Sequence, residues 1–195
     1  MRFSEIESHL HKFRAGIAGA GGLGSNCAVA LARSGIGTLV IADFDVIEPA
    51  NLNRQYYFTD QTGRLKTDAL KENIARINPS VKVITHNIKL DEKNIPDVFA
   101  GCDVIVEAFD RNDMKKMLIE TILSEMPGMP VVIGSGLAGF GNNETIRSRK
   151  IDDTLYVCGD ESTTAGDDLP PMAPRVGIVA NMQANTVIDI LMNKK

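Results

Sequence analysis

Residues Gly16–Gly35 read "GIAGAGGLGSNCAVALARSG", and the fold of the chain turns on them. An apolar run, Ala15–Ala18, leads into the spacing Gly19-x-Gly21-x-x-Gly24. The chain leaves that turn as a helical pattern in which Leu23, Cys27 and Leu31 share one face. A strand, a glycine turn and a helix in that register present backbone N–H groups that cradle phosphate. Glycine also serves close strand–helix packing, so the turn alone points to a nucleotide without choosing which one.

Outward from this unit, strands and helices alternate. Thr38–Ala42, Val81–Thr85, Asp103–Ala108 and Val131–Gly134 read as further strands. Leu70, Ile74 and Ile77 make a second helical face, and Met114, Met117, Leu118 and Ile122 a third. Gly35 and Pro79 end the first two helices. The alternation predicts an α/β fold: a Rossmann-like, doubly wound, mainly parallel sheet. After Gly134 the pattern changes. "NETIRSRKI" and "TLYVCG" predict an antiparallel C-terminal extension, and "DESTTAGDDLPP" a mobile crossing loop. A closing helix over Arg175–Met192 carries apolar residues on nearly every side, which predicts burial in the core or in a subunit interface. No repeat or linker interrupts the 195 residues, so they read as one domain, with the nucleotide-binding half at about 13–135.

Hydrophobic content of 44% and a net charge of −4 suit a globular protein and give no electrostatic reason to expect nucleic acid or an anionic membrane as partner. No apolar run approaches the roughly 20 residues that cross a bilayer. "MRFSEIESHLHKFRAG" has no continuous apolar segment of the secretory kind. Cys27, Cys102 and Cys158 are odd in number and far apart, without a Cys-x-x-Cys pair. The expectation is a reduced, cytoplasmic protein. His9, His11 and His86 show no ligand spacing.

Asp43 falls at the carboxyl end of the second strand, where an acidic residue grips a ribose hydroxyl. That suits NAD and any adenosine ribose equally. The residues after Asp43 separate the two. "DFDVIEPANLNRQYYFTDQTGRLK" runs more than twenty residues before the next helix, and loops of that length in a compact domain are usually functional or disordered. Asn51, Asn53, Arg54 and Gln55 supply amide and guanidinium donors in it. Lys66 opens the next helix, where a cation opposes the helix dipole unless a phosphate is bound there. Asp110, just past the fourth strand, lies on the same sheet edge as Asp43. A carboxylate beside a polyphosphate calls for an intervening cation, and Mg²⁺ is the natural choice. Two cations, a carboxylate and a phosphate turn suit nucleotidyl transfer from ATP better than hydride transfer. Each of these charges could also be an ordinary surface group or helix cap.

The stretches "GAGGLGS", "DFDVIEPANLNRQ", "GRLK", "INP" and "EAFD" resemble the adenylation domain of the ubiquitin-activating E1 superfamily. With "GSGLAGFGNNETIRSRKI", "LYVCGD" and "MAPRVGIVANMQAN", nearly the whole chain resembles the short form of the ThiF family, within the ThiF/MoeB/HesA group. The resemblance implies an ATP-dependent adenylyltransferase that activates the C-terminal glycine carboxylate of a ubiquitin-like sulfur carrier ending in Gly-Gly. The carrier would be ThiS-like, in thiamine (thiazole) biosynthesis. It implies Gly19, Gly21, Gly22 and Gly24 at the phosphates and Asp43 at the ribose. The Ala50–Arg54 segment, Gln55 and Arg111 would contact ATP, Arg54 and Lys66 would hold phosphates, and Asp110 would take magnesium. It also implies a homodimer, and with no cysteine in the stretch before "MAPRVG" the sulfur donor is expected to be a separate protein. An N-terminal arginine, Arg2 or Arg14, would reach the partner's site. Long-form relatives bind zinc through paired Cys-x-x-Cys motifs that this chain lacks, so no structural zinc is expected. Cys158 falls on a strand and reads as core. The competing readings are an NAD(P)-dependent oxidoreductase and an E1-like enzyme acting on a modified tRNA.

Overall fold

Five short, β-branched apolar runs pair in parallel to form the centre of the molecule, a computed structural model that describes residues 1–194. The strands are β1 (Arg14–Ala18), β2 (Thr38–Ala42), β3 (Lys82–His86), β4 (Val104–Glu107) and β5 (Val131–Gly134). Two more, β6 (Arg147–Lys150) and β7 (Leu155–Gly159), extend the sheet. Its order is β3-β2-β1-β4-β5-β7-β6, and β6 alone runs antiparallel to its neighbour. This is the Rossmann-like architecture with an antiparallel extension that the sequence pattern predicts. β3 begins one residue later than Val81, and β4 is trimmed to Val104–Glu107.

Parallel strands are covered on both faces, so side chains alternate between two cores. Ile17, Leu39, Ile41, Val104, Val106 and Val132 face one core. Helices α1 (Phe3–Leu10), α2 (Gly22–Arg33), α3 (Lys66–Ile77) and α6 (Ala173–Met192) contribute to it. Ala18, Val40, Ala42, Ile105 and Val131 face the other, under α4 (Ile95–Val98) and α5 (Asn112–Glu125). The sequence pattern did not single out α1 or the one-turn α4.

Two regions add detail that the sequence pattern leaves open. The closing helix α6 buries Val176, Val179, Ala180, Gln183 and Val187, but leaves Ile178, Asn181, Asn185 and Asp189 exposed. That face borders an open groove of about 1360 Å³ shared with β6 and β7. Segment 160–171 has almost no regular structure, yet it is fastened. The Gly139 N–H donates to Pro170 O at 2.9 Å, Gly139 bridges Pro171, and the carboxylate of Asp160 accepts the N–H groups of Ser162 and Thr163 at 2.8 and 2.7 Å.

The strand register decides where function can sit. Ala18 lies level with Ala42 of β2 and with Glu107 of β4, so the residues leaving these three strands emerge together. The chain's winding reverses between β1 and β4, the place where open α/β sheets bind ligands.

Candidate nucleotide site

The glycine turn is built by necessity. Gly19 has φ of +98°, and a Cβ there would stand 2.9 Å from Ala108 O. A Cβ on Gly24 would stand 1.8 Å from Gly19 O. Both positions therefore require glycine, one for backbone conformation and one for the packing of α2 on the turn. Gly21 caps α2 without any side-chain hydrogen bond, so the first N–H groups of the helix face outward unsatisfied by protein side chains. An anion there gains typically 0.3–1 kcal/mol, up to about 2 in a partly buried setting.

Asp43 fixes the turn from the neighbouring strand. Its carboxylate accepts the N–H of Ala20 at 2.6 Å and that of Asp45 at 2.8 Å. Burial pushes its pKa up, against the pull of the Ala20 N–H and the Lys66 ammonium. An ionised carboxylate offers about four lone-pair sites, so two remain for a ribose. Tyr57 closes the turn from behind, its hydroxyl donating to Ala20 O at 2.8 Å.

The long segment 43–65 is ordered by its own buried residues. Ile47, Tyr57 and Gln61 are buried, and Gln61 and Asn73 of α3 exchange hydrogen bonds at 2.7 and 3.1 Å. The stem of Arg54 is thereby laid over the phosphate turn: its Cγ and Cδ come within 3.5 and 3.6 Å of a Cβ position on Gly22. The side chain is half-buried, and its guanidinium donates to Ala50 O at 3.2 Å and Asn53 Oδ1 at 2.8 Å. Asn26 of α2 donates to Arg54 O at 2.9 Å and ties the segment to the helix. Asn51 accepts the Glu48 N–H at 3.1 Å, and Asn53 donates to Pro171 O at 3.5 Å. Gln55 is buried beside Gly21, and its Oε1 has no partner among the described residues. Lys66 is 6% exposed and pairs with Asp45 at 2.7 Å.

Beyond β4, the Ala108–Phe109 turn packs on Gly19, with Phe109 Cδ1 3.4 Å from a Cβ position there. Asp110 comes next, exposed and in none of the ion pairs among the described residues. A single free carboxylate of this kind suits Mg²⁺, which takes one or two carboxylates plus phosphate oxygens. Arg111 pairs instead with Asp113 at 2.6 Å, and that ion pair raises its pKa.

The structure thus gathers Gly19–Gly24, Asp43, Arg54, Lys66 and Asp110 around the carboxyl edges of β1, β2 and β4. Arg14 starts β1 and lies at the opposite end of that strand, while Arg2 is exposed and paired with Glu5 at 3.1 Å. Cys158 is buried, 3.6 Å from both Ser148 Oγ and Thr186 Oγ1, and burial raises its pKa. Burial likewise raises Cys27, and pushes Cys102 up to about 11. Among the described residues no three His, Cys, Asp or Glu side chains are grouped to hold a metal, and no helix is long and apolar enough to cross a membrane.

Two buried ion pairs were not singled out by sequence reasoning. Glu107 pairs with Lys115 at 2.8 Å, and Asp160 with Arg175. Asp160 also accepts Thr163 Oγ1 at 2.8 Å, and Arg175 donates to Gly141 O. Burial works to raise the Asp160 pKa, but the Thr163 and Ser162 N–H groups and the Arg175 guanidinium outweigh it and hold the carboxyl well below the usual range. Glu107 alone carried a signal in the sequence, as a charge inside the apolar β4 run; Lys115 and Arg175 lie on helices and Asp160 just past β7.

A doubly wound sheet whose winding reverses beside a glycine turn, with Asp43 bonded to that turn and the Arg54 stem against Gly22, defines a Rossmann-like α/β protein. Within that class, the chain belongs to the ThiF family, which it matches over residues 3–195. It is 33% identical over 181 residues to the adenylyltransferase and sulfurtransferase MOCS3 of Caenorhabditis briggsae, covering 89% of this chain and 44% of that protein. It is 36% identical over 182 residues to the adenylyltransferase and sulfurtransferase UBA4 of Meyerozyma guilliermondii, covering 90% and 42%. The chain thus spans about two-fifths of the length of these curated relatives. Its fold is also that of the E. coli tRNA N6-threonylcarbamoyladenosine dehydratase TcdA, whose structure was solved with ATP. There the TM-score is 0.86 at 19% identity, covering 96% of this chain and 89% of that one.

Proposed function

We propose that this chain is an ATP-dependent adenylyltransferase, a single adenylation domain that activates the C-terminal glycine carboxylate of a ubiquitin-like, ThiS-like sulfur carrier. The observation that carries the reading is the placing of the Arg54 stem over Gly22 while Lys66 and Asp43 flank the same turn. Two cations beside a glycine turn suit a triphosphate better than the pyrophosphate of a nicotinamide dinucleotide.

In this reading, a carboxylate oxygen of the carrier attacks the α-phosphorus in line. The new O–P bond forms as the bond to the β-phosphate oxygen breaks, leaving an acyl-adenylate and pyrophosphate. No protein nucleophile is needed, so the work is positioning and electrostatic stabilisation. The N–H groups at the start of α2 and the Arg54 guanidinium bind the phosphates. Lys66 exchanges Asp45 for a phosphate oxygen, and Asp43 orients the ribose. Asp110 would hold Mg²⁺, which when bound neutralises phosphate charge. The sulfur then comes from a separate donor, since the three cysteines are buried.

ATP–pyrophosphate exchange tests the proposal, with a ThiS-like carrier ending in Gly-Gly in one arm and threonylcarbamoyl-modified tRNA in the other. Exchange that depends on the carrier and is lost when its terminal glycine is deleted is expected. Exchange driven by the tRNA alone would move the chain to the dehydratase reading.

A further inference from the structure

The end of β4 carries a buried carboxylate to which nucleotidyl transfer, as proposed, gives no role. Glu107 is fully buried, one residue before the turn that leads to Asp110. Its Oε1 accepts the Phe109 N–H at 2.7 Å, which bends the chain back over the strand end. Both oxygens accept from Lys115 Nζ, at 2.9 and 2.8 Å, and the same ammonium donates to Gly134 O at 3.0 Å. Gln183 of α6 donates to Glu107 O at 2.9 Å and to Val132 O at 3.2 Å. Glu107 thus joins the β4 end to the first turns of α5, through Lys115 to the β5 end, and through its main-chain carbonyl to the closing helix.

Core burial alone does not account for this. An apolar pair of similar volume is often as stable as a buried ion pair, or more so. What an apolar pair lacks is direction. The Glu107–Phe109 bond fixes the turn whose Ala108 O stands 2.9 Å from a Cβ position on Gly19. We propose that Glu107 and Lys115 are positioning residues for nucleotidyl transfer, setting the Ala108–Asp110 turn against the phosphate turn. The inference rests on the adenylation reading for its reaction, and on hydrogen-bond geometry for its residues.

The double variant Glu107→Leu/Lys115→Met removes both charges together and leaves neither one buried alone. It is expected to fold and to bind ATP within about threefold of the wild type, because Arg54 and the α2 N-terminus are untouched. Misplacement of about 1 Å costs up to roughly 100-fold in rate. The kcat of pyrophosphate exchange should therefore fall by about 10- to 100-fold, with the KM for ATP little changed. Lys115→Arg, which keeps a cation and its donors, should retain more of the rate than Lys115→Met. If the double variant does not fold, Glu107→Asp carries the test. It keeps the charge but withdraws the carboxylate by one methylene from Phe109, and the same kcat loss is expected. An unchanged kcat, or a parallel loss of kcat and ATP affinity, would overturn the proposal.

Hydrogen exchange separates this outcome from failure of the adenylation reading. ATP should slow amide exchange at both 19–24 and 108–111 in the wild type, but at 19–24 alone in the double variant. A wild type that shows this pattern yet catalyses no exchange with any acceptor retains the positioning pair and loses the proposed reaction. Absence of ATP-dependent protection at 108–111 in the wild type overturns both.

Discussion

Arg54 is held in place by neutral acceptors, Ala50 O and Asn53 Oδ1, and not by a carboxylate. A phosphate would replace bonds of about 0.5–1.5 kcal/mol with charge-assisted ones of about 1.5–3 kcal/mol. Arg54→Ala should therefore lose pyrophosphate exchange by about 10- to 150-fold. Its melting temperature should fall by only about 2–4 °C, because the half-buried side chain makes no ion pair and a typical substitution costs about 1 kcal/mol. Near wild-type exchange would return Arg54 to the surface charges. Lys66 differs, since Asp45 already claims it at 2.7 Å. The sequence places Arg54, Lys66 and Asp43 on one edge because each stands at a strand end, a helix start or in a long loop beside them. It does not reveal which partner each charge takes. Lys66–Asp45, Lys115–Glu107 and Arg175–Asp160 are separated by 21, 8 and 15 residues and meet through tertiary packing. No local period encodes such a pairing.

At the scale of elements, the strands were legible because runs of Val, Ile and Leu bounded by Gly or Pro allow few alternatives. Segment 160–171 was not, because polar composition says nothing of what its few buried groups hold. Asp160 and Arg175 have side-chain exposures of 1% and 5%, and together they brace that segment against 136–145. Removing one partner of such a buried pair costs about 3–5 kcal/mol. Asp160 is held below its ordinary value of about 3.9, so its stabilisation is fully present above that unfolded value and disappears as the pH falls through the folded one. Asp160→Asn should therefore melt well below the wild type at pH 7. The gap should narrow as the pH is taken below about 4. Thermal scans across that range decide it, and a gap independent of pH would mean that the carboxylate's charge is not what braces the segment. The exposed face of α6 shows the same limit from the other side. Apolar residues such as Ile178 on that face predict burial, but not which surface would cover them.

For the whole molecule, the strand order β3-β2-β1-β4-β5-β7-β6 brings three separate loops to one edge. Residues 19–24, 43–66 and 108–110 belong to different strand–helix units, so a ligand touching all three couples the units to one another. A ligand that binds the folded chain and not the unfolded one stabilises it by RT ln(1 + [L]/Kd), about 2.7 kcal/mol at a hundredfold excess over Kd. For a chain of 150–250 residues each kcal/mol moves the melting temperature by about 2–4 °C, so Mg-ATP should raise it by about 5–11 °C. NAD has a pyrophosphate but no γ-phosphate for Arg54 and Lys66 to share, so at equal concentration it should raise the melting temperature far less. Arg54→Ala should shrink the ATP shift while leaving any NAD shift nearly intact, because the ribose and the glycine turn are common to both ligands. An NAD shift exceeding the ATP shift in the wild type would return the glycine turn to the dinucleotide class and remove adenylation from consideration.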